Sequence, residues 1–334
     1  MATYRFNIPS SGGTYTAATL DSECEIENQI SVSGNTIFNE IVTPSSIVFD
    51  GTNLVFTAKA SQATSEREGY AEVNYTIHGN ECKKYIHLVQ EAPPTPKATL
   101  RLSNGTTVTV PCNGDSELKR NEMTSLVTAS DVVSVHVEDC VTKIGDYAFK
   151  ADEFTNLTSI TMADSVTEIG QAIHNAPYGG APLKSISFSN NLVSIGDSAF
   201  WGCDKLTSLN FPNRLQKIEY GAFYKCTGIT SVVLPDSVKT LGSQCFYNCS
   251  SVTGVTFGTG FTGIEGYGQC FEYTNISKVI CKAVTPPVID QFMFCPSADF
   301  TCRDRIRVYV PRNSISAYEQ ASGWNYYYID DDGF

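Results

Sequence analysis

The sequence predicts a mainly β protein with short helices: an N-terminal β-sandwich followed by a capped repeat solenoid. Three observations carry that expectation. Residues 1–92 alternate short strand-like runs with Gly, Ser and Asn turns. The middle of the chain writes one pattern repeatedly, since "IGDSAFWGCDKLTSL" at 195–209 returns as "IEYGAFYKCTGITSV" at 218–232 and "LGSQCFYNCSSVTGV" at 241–255. Between the two regions lies "EAPPTPK", residues 91–97, a Pro-rich and stiff connection. With 42% apolar and 17% charged residues among 334, the chain has the make-up of a folded protein.

In chain order, the runs "NLVFTAKA" and "YAEVNYTIHG" supply strands to an all-β first domain over 1–92. A linker follows at 93–97. Residues 98–130 precede the first repeat and are expected to cap the solenoid, because a bare end would expose an apolar edge. Repeats occupy 131–285, and 286–334 form a C-terminal cap.

Each repeat opens on an apolar anchor, namely Ile144, Ile169, Ile195, Ile218, Leu241 and Ile264, at steps of 25, 26, 23, 23 and 23 residues. A large apolar residue follows: Phe149, Ile173, Phe200, Phe223, Phe246 or Phe271. Alternating pairs form a third column, Val135/Val137, Ile160/Met162, Ile186/Phe188, Leu209/Phe211, Val232/Leu234 and Val255/Phe257. Alternation of period two reads as a half-buried strand. One such strand and one tight turn or short helix per copy make a solenoid coil of the leucine-rich type, burying its apolar edge only against its neighbours. Cys203, Cys226 and Cys249 stand three residues after the Phe in their coils. That column is interior, where a small polarisable thiol fits, so these cysteines are expected to be structural, buried and reduced. No Cys-x-x-Cys and no His/Cys spacing suited to zinc occurs, so no metal site is expected.

The stretch "ITSVVLPDSVKTLGSQCFYNC", residues 229–249, resembles the unit of the BspA-like leucine-rich repeats, and the resemblance covers about residues 130–285. Coil 2 departs from it, with "QAIHNAPYGGAPL" replacing the Phe and Cys slots. The closing "RVYVPRNSISAYEQASGWNYY" resembles the segment that ends such arrays, which implies a strand of Val308, Tyr309, Val310 and Pro311, with Tyr318 and Trp324 on a helix. Residues 67–92 resemble the end of BACON-type domains through Arg67, Gly69, Gly79 and Gln90, and "SSGG" at 10–13 fits that family's opening turn. The early tryptophan common in that family is missing. This second resemblance implies an immunoglobulin-like sandwich, a setting in gut Bacteroidales or their bacteriophages, and a role in carbohydrate or mucin binding.

Chemistry is sparse. A net charge of −12 leaves no Lys/Arg clusters for nucleic acid or an anionic membrane, and no apolar run reaches the ~20 residues that span a bilayer. "GTGFTG" at 258–263 satisfies the dinucleotide fingerprint as a string, but eight residues later comes Phe271, which leaves no room for the long helix that would hold a pyrophosphate. His78, His87, His136 and His174 fall in no catalytic pattern. Neither an enzyme nor a cofactor site is expected.

The exposed strand positions, expected to form a concave face, are small and neutral: Ser159, Ser185, Ser208 and Ser231, then Thr161, Ser187, Asn210, Val233 and Thr256. The residues just after the inward Phe are Trp201, Tyr224 and Tyr247. They should point outward as a row of rings about 5 Å apart, a candidate binding platform. The expectation is a non-enzymatic adhesion or binding protein. One carrier is a bacteriophage virion assembled in host cytoplasm, as fibre, tail or capsid-decorating protein, which the Met-Ala start, the absent secretory signal and the free thiols favour. The alternative is a secreted or surface-anchored adhesin of a gut Bacteroidales species. Expected partners are host-surface or mucin glycans, other virion proteins, or further copies of the chain.

Overall fold

The strand-like runs before the proline linker are strands in the computed structural model: β1 (Thr3–Ile8), β2 (Gly13–Ala17), β3 (Ser31–Gly34), β4 (Val48–Phe49), β5 (Leu54–Ala58), β6 (Arg67–Ile77) and β7 (Asn80–Gln90). They form one sheet in the order β1-β7-β6-β3 and another in the order β2-β5-β4. Among the described residues of this region, β1 and β7 pair in parallel and the other pairs are antiparallel. The β6–β7 hairpin sets Arg67 opposite Gln90 and Gly69 opposite Leu88. The structure describes residues 96–331 except 113, 172–181, 267 and 296–299, and in the earlier region 3–8, 13–17, 31–34, 39, 42, 48–49, 54–58, 67–77 and 80–90. The coil-2 substitution, Ile173, His78, His174, Gly79, most of "SSGG" and the start of the linker lie outside the described residues.

The chain divides into two units, Met1–Pro94 and Thr95–Phe334. The end of the segment read as linker is therefore part of the second unit. Lys97 is fully buried there. Its N–H donates to the Val110 carbonyl (2.7 Å), its carbonyl accepts from Glu138 N–H (2.9 Å), and its ammonium donates to Glu122 Oε1 (2.7 Å) and the Glu117 carbonyl (2.8 Å). A buried ammonium needs such partners, and they tie the residue down.

The second unit opens with the antiparallel hairpin β8 (Ala98–Leu102) and β9 (Thr107–Val110), then β10 (Glu117–Leu118) and the one-turn α1 (Arg120–Thr124). The first coils carry β11 (Val132–Val137), β12 (Lys143–Ile144), β13 (Ser159–Met162), β14 (Glu168–Ile169), β15 (Ser185–Ser187) and β16 (Ser194–Ile195). The later ones carry β17 (Lys217–Ile218), β18 (Ser231–Val233), β19 (Thr240–Gly242), β20 (Gly254–Phe257), β21 (Gly263–Glu265) and β22 (Lys278–Cys281). After them come β23 (Arg307–Val310), α2 (Ile315–Gln320) and β24 (Tyr328–Asp331).

Coils with two strands replace the expected coil with one. The anchors are themselves strands of two or three residues, stacked in parallel as β10-β12-β14-β16-β17-β19-β21. The alternating segments make two separate sheets, β15-β13-β11-β8-β9 and β18-β20-β22-β23-β24. Their ladder lapses at 208–211, where a strand was expected. The odd residue there is Asn210, in a slot filled elsewhere by Thr161, Ser187, Val233 and Thr256, and Asn is depleted in strands. The side chains still alternate, with Leu209 buried and Asn210 exposed.

A third ladder runs through the Phe turn. In the four coils from Phe200 to Phe271, the residues two before and two after the Phe are left-handed: Ser198 and Gly202, Gly221 and Lys225, Gln244 and Asn248, Gln269 and Tyr273. Within each bracket of two left-handed residues, every second N–H points the same way, into the next coil. Ser198, Phe200 and Gly202 donate to the carbonyls of Tyr220, Ala222 and Tyr224 at 2.7–2.8 Å. Phe223 and Lys225 continue to Cys245 and Tyr247, and Phe246 and Asn248 to Cys270 and Glu272. Non-glycine side chains in this region cost of order 1–2 kcal/mol each, which these hydrogen bonds offset.

The core is a stack of rings. Phe200, Phe223, Phe246 and Phe271 are at most 1% exposed, with successive centroids 5.1–5.2 Å apart and planes within 13°. Phe294 continues the stack at 5.8 Å. Beyond the repeats, the expected strand is Arg307–Val310, and Pro311, which has no N–H to give a ladder, falls outside it. Tyr318 is on α2, but the extended Ala321 ends that helix, and Trp324 begins a separate 3₁₀ turn preceded by Gly323 at φ 88°. Both are fully buried. Their polar tips are satisfied, Tyr318 Oη donating to the Ala283 carbonyl and Trp324 Nε1 to that of Pro287, each at 2.7 Å.

Candidate functional site

One residue past each ladder Phe, the chain turns outward and presents Trp201, Tyr224 and Tyr247, all half-buried. Trp201 and Tyr224 stack at 4.0 Å and 21°, and Tyr224 and Tyr247 at 4.9 Å and 10°. The flat faces of these rings are therefore turned on one another, and their edges and polar tips form the accessible ridge. Burial raises the Tyr224 phenol above its ordinary value and pushes Tyr247 up to about 12, with the Glu272 charge adding to both. The next coil breaks the row. Glu272 takes the slot after Phe271 and is 2% exposed, while Tyr273, one residue on, meets Tyr247 edge-on at 5.2 Å and 69° and is 48% exposed. The fixed offset from Phe misses this ring, because the chain steps by one position at that coil.

Cys203, Cys226 and Cys249 are free and fully buried. Cys226 donates to the Phe200 carbonyl and Cys249 to that of Phe223, each at 3.1 Å. Burial holds both thiols far above the ordinary value and so unreactive. Cys245 and Cys270 form a second buried column, in the slot before the Phe that Ala148, Ala199 and Ala222 fill elsewhere. Cys295, which is in neither of these columns, is disulfide-bonded.

The strand face is neither neutral nor free of aromatics once its register is followed to the end. One column runs Ser231, Gly254, Lys278, Arg307 and Tyr328, and the next Val233, Thr256, Ile280, Tyr309 and Asp330. The repeat period stops before β23, so counting by 23 does not reach these residues. The earlier columns are as expected, with Thr161, Ser185, Ser187, Ser208 and Asn210 exposed.

No catalytic grouping forms around the described histidines. His136 shares a hydrogen bond of 2.7 Å with Thr161 Oγ1, and His87 stacks on Tyr70 at 4.3 Å. Among the described residues no group of three His, Cys, Asp or Glu side chains could hold a metal ion, and no helix is long and apolar enough to cross a membrane. In "GTGFTG" the glycines serve close packing: Thr259 N–H donates to Asp236 Oδ1 (2.8 Å), and a Cβ on Gly260 would lie 2.1 Å from the Asp236 carbonyl oxygen.

Comparison with solved structures finds a leucine-rich-repeat protein of T. pallidum, at 22% identity and a TM-score of 0.36, covering 50% of this chain and 79% of that one. The pneumococcal vaccine antigen PcpA matches at 14% and 0.41, over 71% of this chain and 48% of that one. A leucine rich cell surface protein of Faecalibacterium prausnitzii matches at 20% and 0.34, over 60% and 57%. No curated protein matches the sequence. Coils built on the Phe stack and the thiol column match the family model of the BspA type leucine-rich repeat region in six copies over residues 127–175 and 171–299, more than half of the 334 residues, and the chain belongs to that family.

Proposed function

We propose that this chain is a non-enzymatic adhesion protein that engages a partner through the ridge of Trp201, Tyr224 and Tyr247. The observation that carries the proposal is the stack itself, three half-buried rings held in line by the hydrogen-bonded turns beneath them. Trp and Tyr are the residues in which binding energy concentrates at protein interfaces, and a pre-ordered row loses little side-chain entropy on docking. Because the ring faces are spent on each other, the ridge suits the surface of a protein, such as a cell-surface or mucin core protein, better than the stacking of flat sugar rings. Residues 1–92, read as an immunoglobulin-like sandwich of the BACON type, are the expected carrier of host-surface or mucin glycan binding. Their sheets of four and three strands support that reading.

The bacterial cell surface is the setting we favour over a virion assembled in cytoplasm. The disulfide at Cys295 supports an oxidising compartment, while the buried thiols are shielded in either place. Each ring contact is worth about 0.5–1.5 kcal/mol, so replacing Trp201, Tyr224 and Tyr247 together by Ala should weaken attachment to whole cells or mucin at least ten-fold. Ser185→Ala with Ser208→Ala should leave it unchanged. Wild-type attachment by the triple variant, with loss on removing residues 1–92, would place recognition in the first unit instead.

A further inference from the structure

We propose that the C-terminal end of the strand face is a second binding site, one that takes a carboxylated glycan. It is independent of the aromatic ridge. Lys278 on β22 and Arg307 on β23 are direct neighbours in the ladder, and both are exposed. The Arg307 guanidinium lies 4.1 Å from the centre of the Tyr328 ring, and the Lys278 ammonium 5.2 Å from that of Tyr309. Neither cation forms an ion pair among the described residues, in a chain whose net charge is −12. The nearby carboxylates are engaged locally: Asp330 Oδ1 accepts from Asp331 N–H at 2.8 Å, and Asp331 pairs with Arg312 at 3.2 Å.

A guanidinium resting on a ring keeps its N–H edge free, and that edge matches a carboxylate with two parallel hydrogen bonds. The ammonium rises from the adjacent strand, whose backbone runs about 4.8 Å away, and offers a second charge to the same chain of sugars. Tyr328, 58% exposed, and the half-buried Tyr309 add apolar ring edges and phenol tips, which suit C–H and hydroxyl groups. An acidic peptide fits less well. β22 and β23 are interior strands whose backbone groups are consumed by their neighbours, so an extended peptide would find no main-chain partner at the cations.

The test is calorimetric titration of the full chain with oligogalacturonate and with oligosialic acid, using methyl-esterified galacturonan and poly-glutamate for comparison. Binding to at least one acidic oligosaccharide is expected, weakening as salt is raised, with none to the ester. Lys278→Ala with Arg307→Ala should reduce affinity at least ten-fold, and Arg307→Lys several-fold, because Lys lacks the planar fork. The triple variant at Trp201, Tyr224 and Tyr247 should bind these sugars as the wild type does, so this site and the ridge stand or fall separately. The proposal is overturned if neither acidic oligosaccharide binds, if poly-glutamate binds as tightly, or if the Lys278/Arg307 variant, melting at the wild-type temperature, binds unchanged.

Discussion

The Phe ladder and the aromatic ridge differ by one residue in sequence and almost nothing in spacing. Phe223 and Phe246 stack at 5.1 Å and 5°, Tyr224 and Tyr247 at 4.9 Å and 10°. Yet the first pair is fully buried and the second is half open to water. A common period therefore determines that rings will stack but not which stack is core. The turn decides that, by bracketing each Phe with two left-handed residues that hold it inward and leave its successor outside.

The largest test of this difference is a pair of substitutions. Phe223→Ala should cost about 3–5 kcal/mol, because the coils on either side are fixed by hydrogen bonds and cannot close the cavity. Tyr224→Ala should cost about 1 kcal/mol or less, since water fills what it leaves. Equal losses in denaturant melts would place the two rings in the same environment and contradict the register. A smaller effect of opposite sign should come from the bracket. Lys225 sits at φ 57°, so Lys225→Gly removes a strain of about 1–2 kcal/mol and returns part of it as unfolded-chain entropy. A net stabilisation of roughly 0.5–1 kcal/mol, seen as a raised Tm, is expected; a lowered Tm would mean that the Lys225 side chain holds the turn.

The smallest effect concerns protons. Tyr247 is pushed up to about 12 from an ordinary 10.0, chiefly by burial. Folding therefore favours its protonated form. The corresponding stability is complete below pH 10 and is withdrawn as the pH climbs from about 10 to about 12. The ultraviolet difference between wild type and Tyr247→Phe should show the phenol ionising near the upper limit, and ionisation near 10 would count against partial burial of the ridge.

Sequence made the rings, the thiol column and the coil boundaries legible, because Phe, Cys and the aromatic slot recur at 23 residues. Lys143–Ile144 and its partners are too short to show an alternation, so their sheet could not be read. The left-handed slots were hidden because Tyr147, Ser198, Lys225 and Gln244 stand where glycine would have signalled them. Tyr273 and the basic–aromatic end of the strand face were lost where the period slips or stops. Lys97 looked like linker because nothing local announces that Glu122, 25 positions on, will receive its charge.

The Phe turns also have an electrical consequence. The peptide joining Ala222 to Phe223 accepts from Phe200 N–H and donates to the Cys245 carbonyl, and the one joining Tyr224 to Lys225 accepts from Gly202 and donates to Tyr247. These units are wired head to tail from coil to coil, as peptides are along an α-helix, where each contributes a dipole of about 3.5 D. Hydrogen bonds in series along each such chain polarise one another. Every N–H in them points toward later coils, so the positive pole of this ladder falls at its C-terminal end, opposite in sense to the anchor turns, where Gly196 and Glu219 N–H donate to the earlier Ile169 and Ile195 carbonyls.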